Sequence, residues 1–176
     1  AEVTDISTAV TMGSDCLMLS EETAMGKYPV ETIQQMKKVI TYTQSHIPVN
    51  ALVKPELHHH TSITISDAAV SIAAQLDAQA IVAETKSGAT AHHISAMRPR
   101  RPLLSVTSSD RVAQKMALLY ANKSFVRPDG ERIGIQLMEE LAENGYIRRP
   151  ATIVIVSGRQ PGVMGGTDTL RVRVVE

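Results

Sequence analysis

From Thr61 onward the sequence alternates short apolar runs with stretches of helical periodicity, and that alternation leaves few architectures open. Ile65, Ala68, Ala69, Ile72, Ala73 and Leu76 form a helical stripe, followed by a predicted strand at Ala80–Ala83. Thr90–Met97 is predicted as a short helix closed by Pro99, and Leu103–Val106 as a strand. Asp110–Leu119 reads as helix, Ser124–Val126 as a short strand, and Glu131–Asn144 as a helix. The last of these has Ile133, Leu137, Met138 and Leu141 on one face and Gly145 as its C-cap. Thr152–Val156 is a β-branched strand. Leu170–Val175 alternates arginine with apolar residues, the mark of a half-exposed strand at an edge. Strands that alternate with helices build βαβ units and a mostly parallel sheet. No helix separates the last two strands, only a glycine-rich loop, so the final strand can run antiparallel. The expected fold of 61–176 is therefore α/β, a five-stranded mostly parallel sheet with helices on both faces and an antiparallel last strand.

Residues 1–45 follow a different pattern. Val3, Ile6 and Val10 are spaced as a helix that Gly13 stops, Cys16–Leu19 is an apolar run of strand length, and Ser20–Thr23 is a polar loop. Pro29 suits the first turn of a helix whose face is Val30, Ile33, Met36 and Ile40, running to about Tyr42. One strand cannot make a sheet. This block needs partners, and its opening at Ala1 inside an amphipathic pattern reads like a piece of something longer. Residues 46–60 hold Pro48, Asn50, Pro55 and the run His58–His60 with no sustained period, so a linker is expected there. Three adjacent histidines cannot all face one metal from a helix or strand, and a solvated loop is the simpler reading.

Lysine plus arginine and aspartate plus glutamate each total 18, which argues against a generally basic nucleic-acid binder. The chain has no Trp and one Phe, so its core is aliphatic. A single cysteine, Cys16, allows no internal disulfide and fits a reducing compartment, with packing as its expected role. No apolar run approaches the roughly 20 residues of a membrane span, and no signal peptide is visible, so a cytoplasmic location without a membrane partner is expected.

In open α/β sheets ligands bind beyond the carboxyl ends of the strands, where strand order reverses. Two loops are candidates. Glu84–Thr90 carries the hydroxyls of Thr85, Ser87 and Thr90, the Lys86 ammonium, and Gly88, just ahead of a helix start. Free N–H groups and a positive dipole end suit a phosphate monoester there. The alternative is an ordinary N-cap made by Thr90 or Ser87. The G-x-x-x-x-G-K-[ST] order is absent. The second loop, Ser157–Thr169, holds four glycines and Pro161, more than a tight turn needs, with Arg159 able to grip an anion through two bonds. A surface loop is the alternative. If the first and fourth strands of 61–176 are neighbours, both loops meet at one crevice. No familiar catalytic triad, zinc or dithiol motif is present. Glu21 and Glu22 form a paired carboxylate able to hold a cation or orient a base, against a solvated loop. His92 and His93 read as surface or interface residues.

Several of these segments together resemble pyruvate kinase. Ala1-Glu2-Val3-Thr4-Asp5, with Gly13-Ser14-Asp15 through Met18-Leu19-Ser20-Glu21-Glu22-Thr23-Ala24-Met25-Gly26-Lys27-Tyr28-Pro29, is similar to the end of that family's catalytic barrel. Thr85-Lys86-Ser87-Gly88 with Thr90-Ala91-His92, Arg98-Pro99 with Pro102, and Gly162, Gly165, Thr167 and Leu170-Arg171-Val172 resemble its C-terminal domain. The resemblance implies that 1–45 is the last helix–strand–helix portion of a (β/α)8 barrel, with Cys16–Leu19 as its eighth strand. It places Ser20 on the active-site face, in a position linked to proton delivery to the enolate, with Glu22 as a second catalytic candidate. It implies that 61–176 binds a phosphorylated allosteric effector through Thr85, Lys86, Ser87, Gly88, Thr90, Arg159, Gly162, Gly165 and Thr167, and joins subunits as a dimer through the edge strand and a tetramer in the full enzyme.

The family's Mg2+ and K+ ligands, phosphate-binding arginine and catalytic lysine have no counterpart in these residues, so no cofactor is expected in this portion, and inactivity alone is. Ser20-Glu21-Glu22-Thr23 stands where the family usually has S-G-E-T. The tryptophan that animal enzymes use at the second phosphate of fructose 1,6-bisphosphate is absent, while Arg132 falls near the accompanying arginine. A sugar phosphate or nucleotide monophosphate then fits as well as the bisphosphate. Two other readings stay open, a stand-alone phosphosugar-binding module and a pure oligomerisation domain. Residues 1–45 favour the first reading, since a free-standing sensor has no use for one barrel strand.

Overall fold

A computed structural model describes residues 2–47, 49, 60–158 and 166–176. The chain divides into two units, Ala1–Leu52 and Val53–Glu176.

The first unit holds helices α1 (Glu2–Thr11), α2 (Glu21–Ala24) and α3 (Pro29–His46). Gly13 adopts φ 85° and its N–H closes the end of α1 onto the Val10 carbonyl at 3.0 Å, a turn that favours glycine. Pro29 opens α3 with its φ already helical. α1 packs on α3, where Val10, Val39 and Thr43 are buried and the Ser7 and Thr43 hydroxyls lie 3.1 Å apart.

Several expectations differ from the structure here. Cys16–Leu19 is not a strand. A strand needs a neighbour to take its backbone hydrogen bonds, and the described residues of this unit offer none. Cys16 is accordingly exposed rather than packed, and Met18 is 90% exposed. The expected polar loop after Ser20 instead winds into the short helix α2. α3 runs four residues past Tyr42, and within this chain Val30 and Ile33 of its expected apolar face are exposed.

The second unit holds α4 (Thr61–Gln75), β1 (Ala80–Glu84), α5 (Ala89–Ala96), β2 (Leu103–Thr107), α6 (Asp110–Met116), β3 (Asn122–Val126), α7 (Ile133–Glu143), β4 (Ala151–Gly158) and β5 (Thr167–Val175). The sheet order is β3-β2-β1-β4-β5. The first four strands are parallel and β5 is antiparallel to β4. This is the fold the alternating pattern predicts.

Successive side chains of a strand face opposite sides, and both sides of this sheet are covered. Val82, Val106, Ile153 and Ile155 pack against Leu137, Met138 and Leu141 of α7. Ile81, Ala83, Leu103, Val154 and Val156 pack against Ala69 and Ala73 of α4, Ala91 and Ile94 of α5, and Met116 of α6. Small residues on α4 and α5 let those helices lie close to the sheet. On the edge strand β5, Leu170 and Val172 join the α4–α6 layer and Val175 the α7 layer, whereas Arg171, Arg173 and Val174 are exposed.

Candidate functional site

β1 and β4 are neighbours, and their connecting helices lie on opposite faces, α5 after β1 with the α4–α6 layer and α7 before β4 on the other side. This is the reversal of strand order that opens a crevice at the carboxyl ends of an α/β sheet. The segment leaving β1 is built to stand at that crevice. The Thr85 N–H still bonds the Val106 carbonyl at 2.9 Å, so the loop departs directly from the parallel ladder. The buried Thr85 hydroxyl accepts from the Gly88 N–H at 3.0 Å, and Gly88 at φ 88° is the N-cap of α5. A Cβ on Gly88 would also lie 3.2 Å from Met116 Cγ, so only glycine combines this φ with this packing. The cap is thus neither Thr90 nor Ser87, although the Ser87 hydroxyl accepts from the Ala89 N–H at 3.4 Å.

Two longer-range contacts fix the rest. The Thr90 and Thr167 hydroxyls meet at 2.6 Å, both residues buried, tying the first turn of α5 to the start of β5. The Glu84 carboxylate accepts from the Gly134 N–H at 2.9 Å, pinning the start of α7 to the end of β1. A Cβ at Gly134 would fall 2.7 Å from that carboxylate oxygen. Lys86 forms an ion pair with Asp129 and donates to the Ser108 hydroxyl at 3.4 Å. Hydrogen bonds from Lys86 and then Ser108 hold the Asp129 carboxyl below the usual carboxylate range.

The structure therefore brings Thr85, Lys86, Ser87, Gly88, Thr90 and Thr167 to one end of the sheet. Arg159, Gly162 and Gly165 lie outside the described residues. Arg132 is the N-cap of α7 at φ 60° and lines a groove of about 440 Å³ that also takes in Arg149, Arg173 and Glu176. In the first unit Ser20 is exposed, and its N–H donates to the Glu22 carboxylate at 3.0 Å. The Glu22 carboxyl is held low by its own backbone N–H and then by that of Ser20. Among the described residues no group of three or more His, Cys, Asp or Glu side chains is placed to hold a metal ion. His92 is exposed and His93 half-buried; burial first, then the charges of His92 and His60, lowers the pKa of His93. No helix among the described residues is long and apolar enough to cross a membrane.

Sequence reading missed Asp129, Ser108 and the structural role of Glu84. Pro128-Asp129-Gly130 reads locally as a turn before α7. Its proximity to Lys86 depends on β1, β2 and β3 lying side by side, which no local pattern states.

Fold and site define a doubly wound α/β domain with its polar loop at the reversal of strand order. Residues 63–173 match the pyruvate kinase alpha/beta domain, and residues 1–33 match the pyruvate kinase barrel domain. The chain belongs to the pyruvate kinase family. It is 32% identical to a pyruvate kinase of Clostridium acetobutylicum, over 100% of this chain and 38% of that protein. It is 34% identical to pyruvate kinase 2 of Synechocystis over 100% of this chain and 30% of that protein. A Mycobacterium tuberculosis pyruvate kinase is 34% identical over 98% of this chain and 37% of its own length. The chain thus spans 30–38% of these curated relatives.

Proposed function

We propose that residues 61–176 are the effector-binding and subunit-contact domain of a pyruvate kinase, and that residues 1–45 belong to its catalytic barrel. The whole enzyme would transfer a phosphoryl group from phosphoenolpyruvate to ADP, giving pyruvate and ATP in the cytoplasm, with Mg2+ and K+ held by residues outside this chain. One observation carries the effector reading. A loop bearing three hydroxyls and an ammonium leaves the central strand at the reversal of strand order and runs directly into a helix N-terminus. Backbone N–H groups, hydroxyls and a cation at one place complement a phosphate monoester. The ligand class is a sugar phosphate or a nucleotide monophosphate. Calorimetric titration of the chain with sugar monophosphates and with nucleotide monophosphates should show saturable binding of one class, and its absence with both would defeat the reading.

Ser20 is assigned to proton delivery beside the substrate, with Glu22 fixing its backbone through the 3.0 Å bond. Phosphoryl transfer rests on metal and charge positioning, so the 176-residue chain alone should show none above background in a coupled assay with Mg2+ and K+. Robust turnover would place the chemistry within these residues.

The edge strand β5 supports the assembly role. One of its sides is paired with β4, and the other meets no strand among the described residues, although the Arg173 guanidinium donates to the Val172 carbonyl at 3.0 Å; such an edge invites a second strand. Two such edges about a two-fold axis would form one sheet across two chains, and a tetramer would follow in the whole enzyme. Sedimentation should show a dimer, and Val172→Pro should shift it to monomer by removing a ladder donor. Val174→Lys, at a residue 53% exposed, should do the same without disturbing the core. A wild-type chain that stays monomeric at high micromolar concentration would contradict the proposal.

A further inference from the structure

The Lys86 ammonium of the β1–α5 loop and the Ser108 hydroxyl that follows β2 are both engaged by one carboxylate from elsewhere in the chain. Asp129 reaches them from the connection between β3 and α7, residues 127–132. Both ends of that connection are anchored. The Arg127 N–H bonds the Thr107 carbonyl at 3.0 Å, and its guanidinium grips both Glu140 oxygens at 2.8 Å. At the other end Glu84 holds the Gly134 N–H. Between the anchors, Asp129 and Gly130 are exposed, and a Cβ at Gly130 would meet only Ile133 within 4 Å. The middle of the connection can therefore move without disturbing either anchor.

We propose that Asp129 is an internal competitor for the anion loop: its carboxylate occupies Lys86 and Ser108, and a phosphate-type anion engages Lys86 only by displacing it. The inference rests on the reading of Thr85–Thr90 as an anion site and adds the residue that sets its affinity. The chemistry is matched. An ammonium and a hydroxyl that can satisfy a carboxylate can satisfy a phosphate oxygen with the same donors. The exchange is also feasible. A solvent-accessible ion pair is weak and easily traded, and the Asp129 side chain is 51% exposed and that of Lys86 28%. A phosphate dianion brings more charge and more acceptor oxygens than the carboxylate it replaces. Displacement would release the Pro128-Asp129-Gly130 segment while α7 stays pinned, giving the site a mobile element that reports occupancy.

The test is titration of the full chain with inorganic phosphate, comparing wild type, Asp129→Asn and Lys86→Met, with amide hydrogen exchange at Asp129 and Gly130 followed alongside. Asp129→Asn should tighten phosphate roughly two- to fivefold, the range set by an exposed ion pair. Lys86→Met should weaken it, and adding Asp129→Asn to Lys86→Met should bring no gain. Saturating phosphate should speed exchange at Asp129 and Gly130 in the wild type. If Asp129→Asn binds no tighter while Lys86→Met binds more weakly, the anion site stands and the competitor is overturned. If neither substitution changes affinity, or nothing binds in any of the three proteins, the anion site itself falls and the competitor with it.

Discussion

Lys86→Glu is expected to lower sugar-phosphate affinity by on the order of a hundredfold, because it removes a charge-assisted hydrogen bond and sets a like charge against the ligand. The position makes the effect selective. Lys86 stands in the loop rather than in either core layer, so its replacement leaves the sheet and its helices intact. A glutamate there would also repel Asp129 and drive the β3–α7 connection outward. Lys86→Met separates the two contributions, losing the bond without adding repulsion, and should fall between wild type and Lys86→Glu. Calorimetry reads all three. Equal affinity for wild type and Lys86→Glu would remove the loop from any role in ligand binding.

Ile81→Ala should be the most damaging conservative change in the α/β unit. Ile81 lies on β1, the central strand, with 0% of its surface exposed, and packs in the layer roofed by α4, α5 and α6. Truncating it removes buried methyl groups and leaves a cavity that an interior strand cannot collapse around, at a cost of about 2–5 kcal/mol. The midpoint of urea unfolding should fall while the slope stays constant, the signature of changed stability without changed compactness. Ile33→Ala is the internal contrast. Ile33 is 54% exposed on α3, and its truncation should cost no more than roughly 0.5 kcal/mol. Comparable losses at the two positions would mean that the layers are assigned wrongly.

Much of the α/β unit is legible because its elements carry their own periods. The α7 stripe of Leu137, Met138 and Leu141, and the β-branched run of β4, identify themselves without their neighbours. Boundaries are less legible. β3 begins at Asn122, two residues before its apolar run, because pairing with β2 sets Asn122 opposite Leu103 and Lys123 opposite Leu104. The Cys16–Leu19 run shows the converse. An apolar segment of strand length is only a candidate until another strand accepts its hydrogen bonds. The Thr85–Thr90 loop could be found because its donors are consecutive. Asp129 could not, since it reaches Lys86 across two strand pairings and from a turn that reads as ordinary punctuation. Arg132 entered through family resemblance alone, and it caps α7 beside the groove with Arg149 and Arg173.

On the proposed function, a phosphorylated ligand occupies the end of β1 where strand order reverses. Two-dimensional amide NMR of the labelled chain, titrated with a sugar monophosphate, addresses it most directly. The expected result is a set of saturable shifts at the amides of Thr85–Thr90 and Thr167, with the same dissociation constant at each and none in the Lys86→Glu protein. Saturable shifts confined to the Arg132–Arg149–Arg173 groove, with the Thr85–Thr90 amides unmoved, would contradict it.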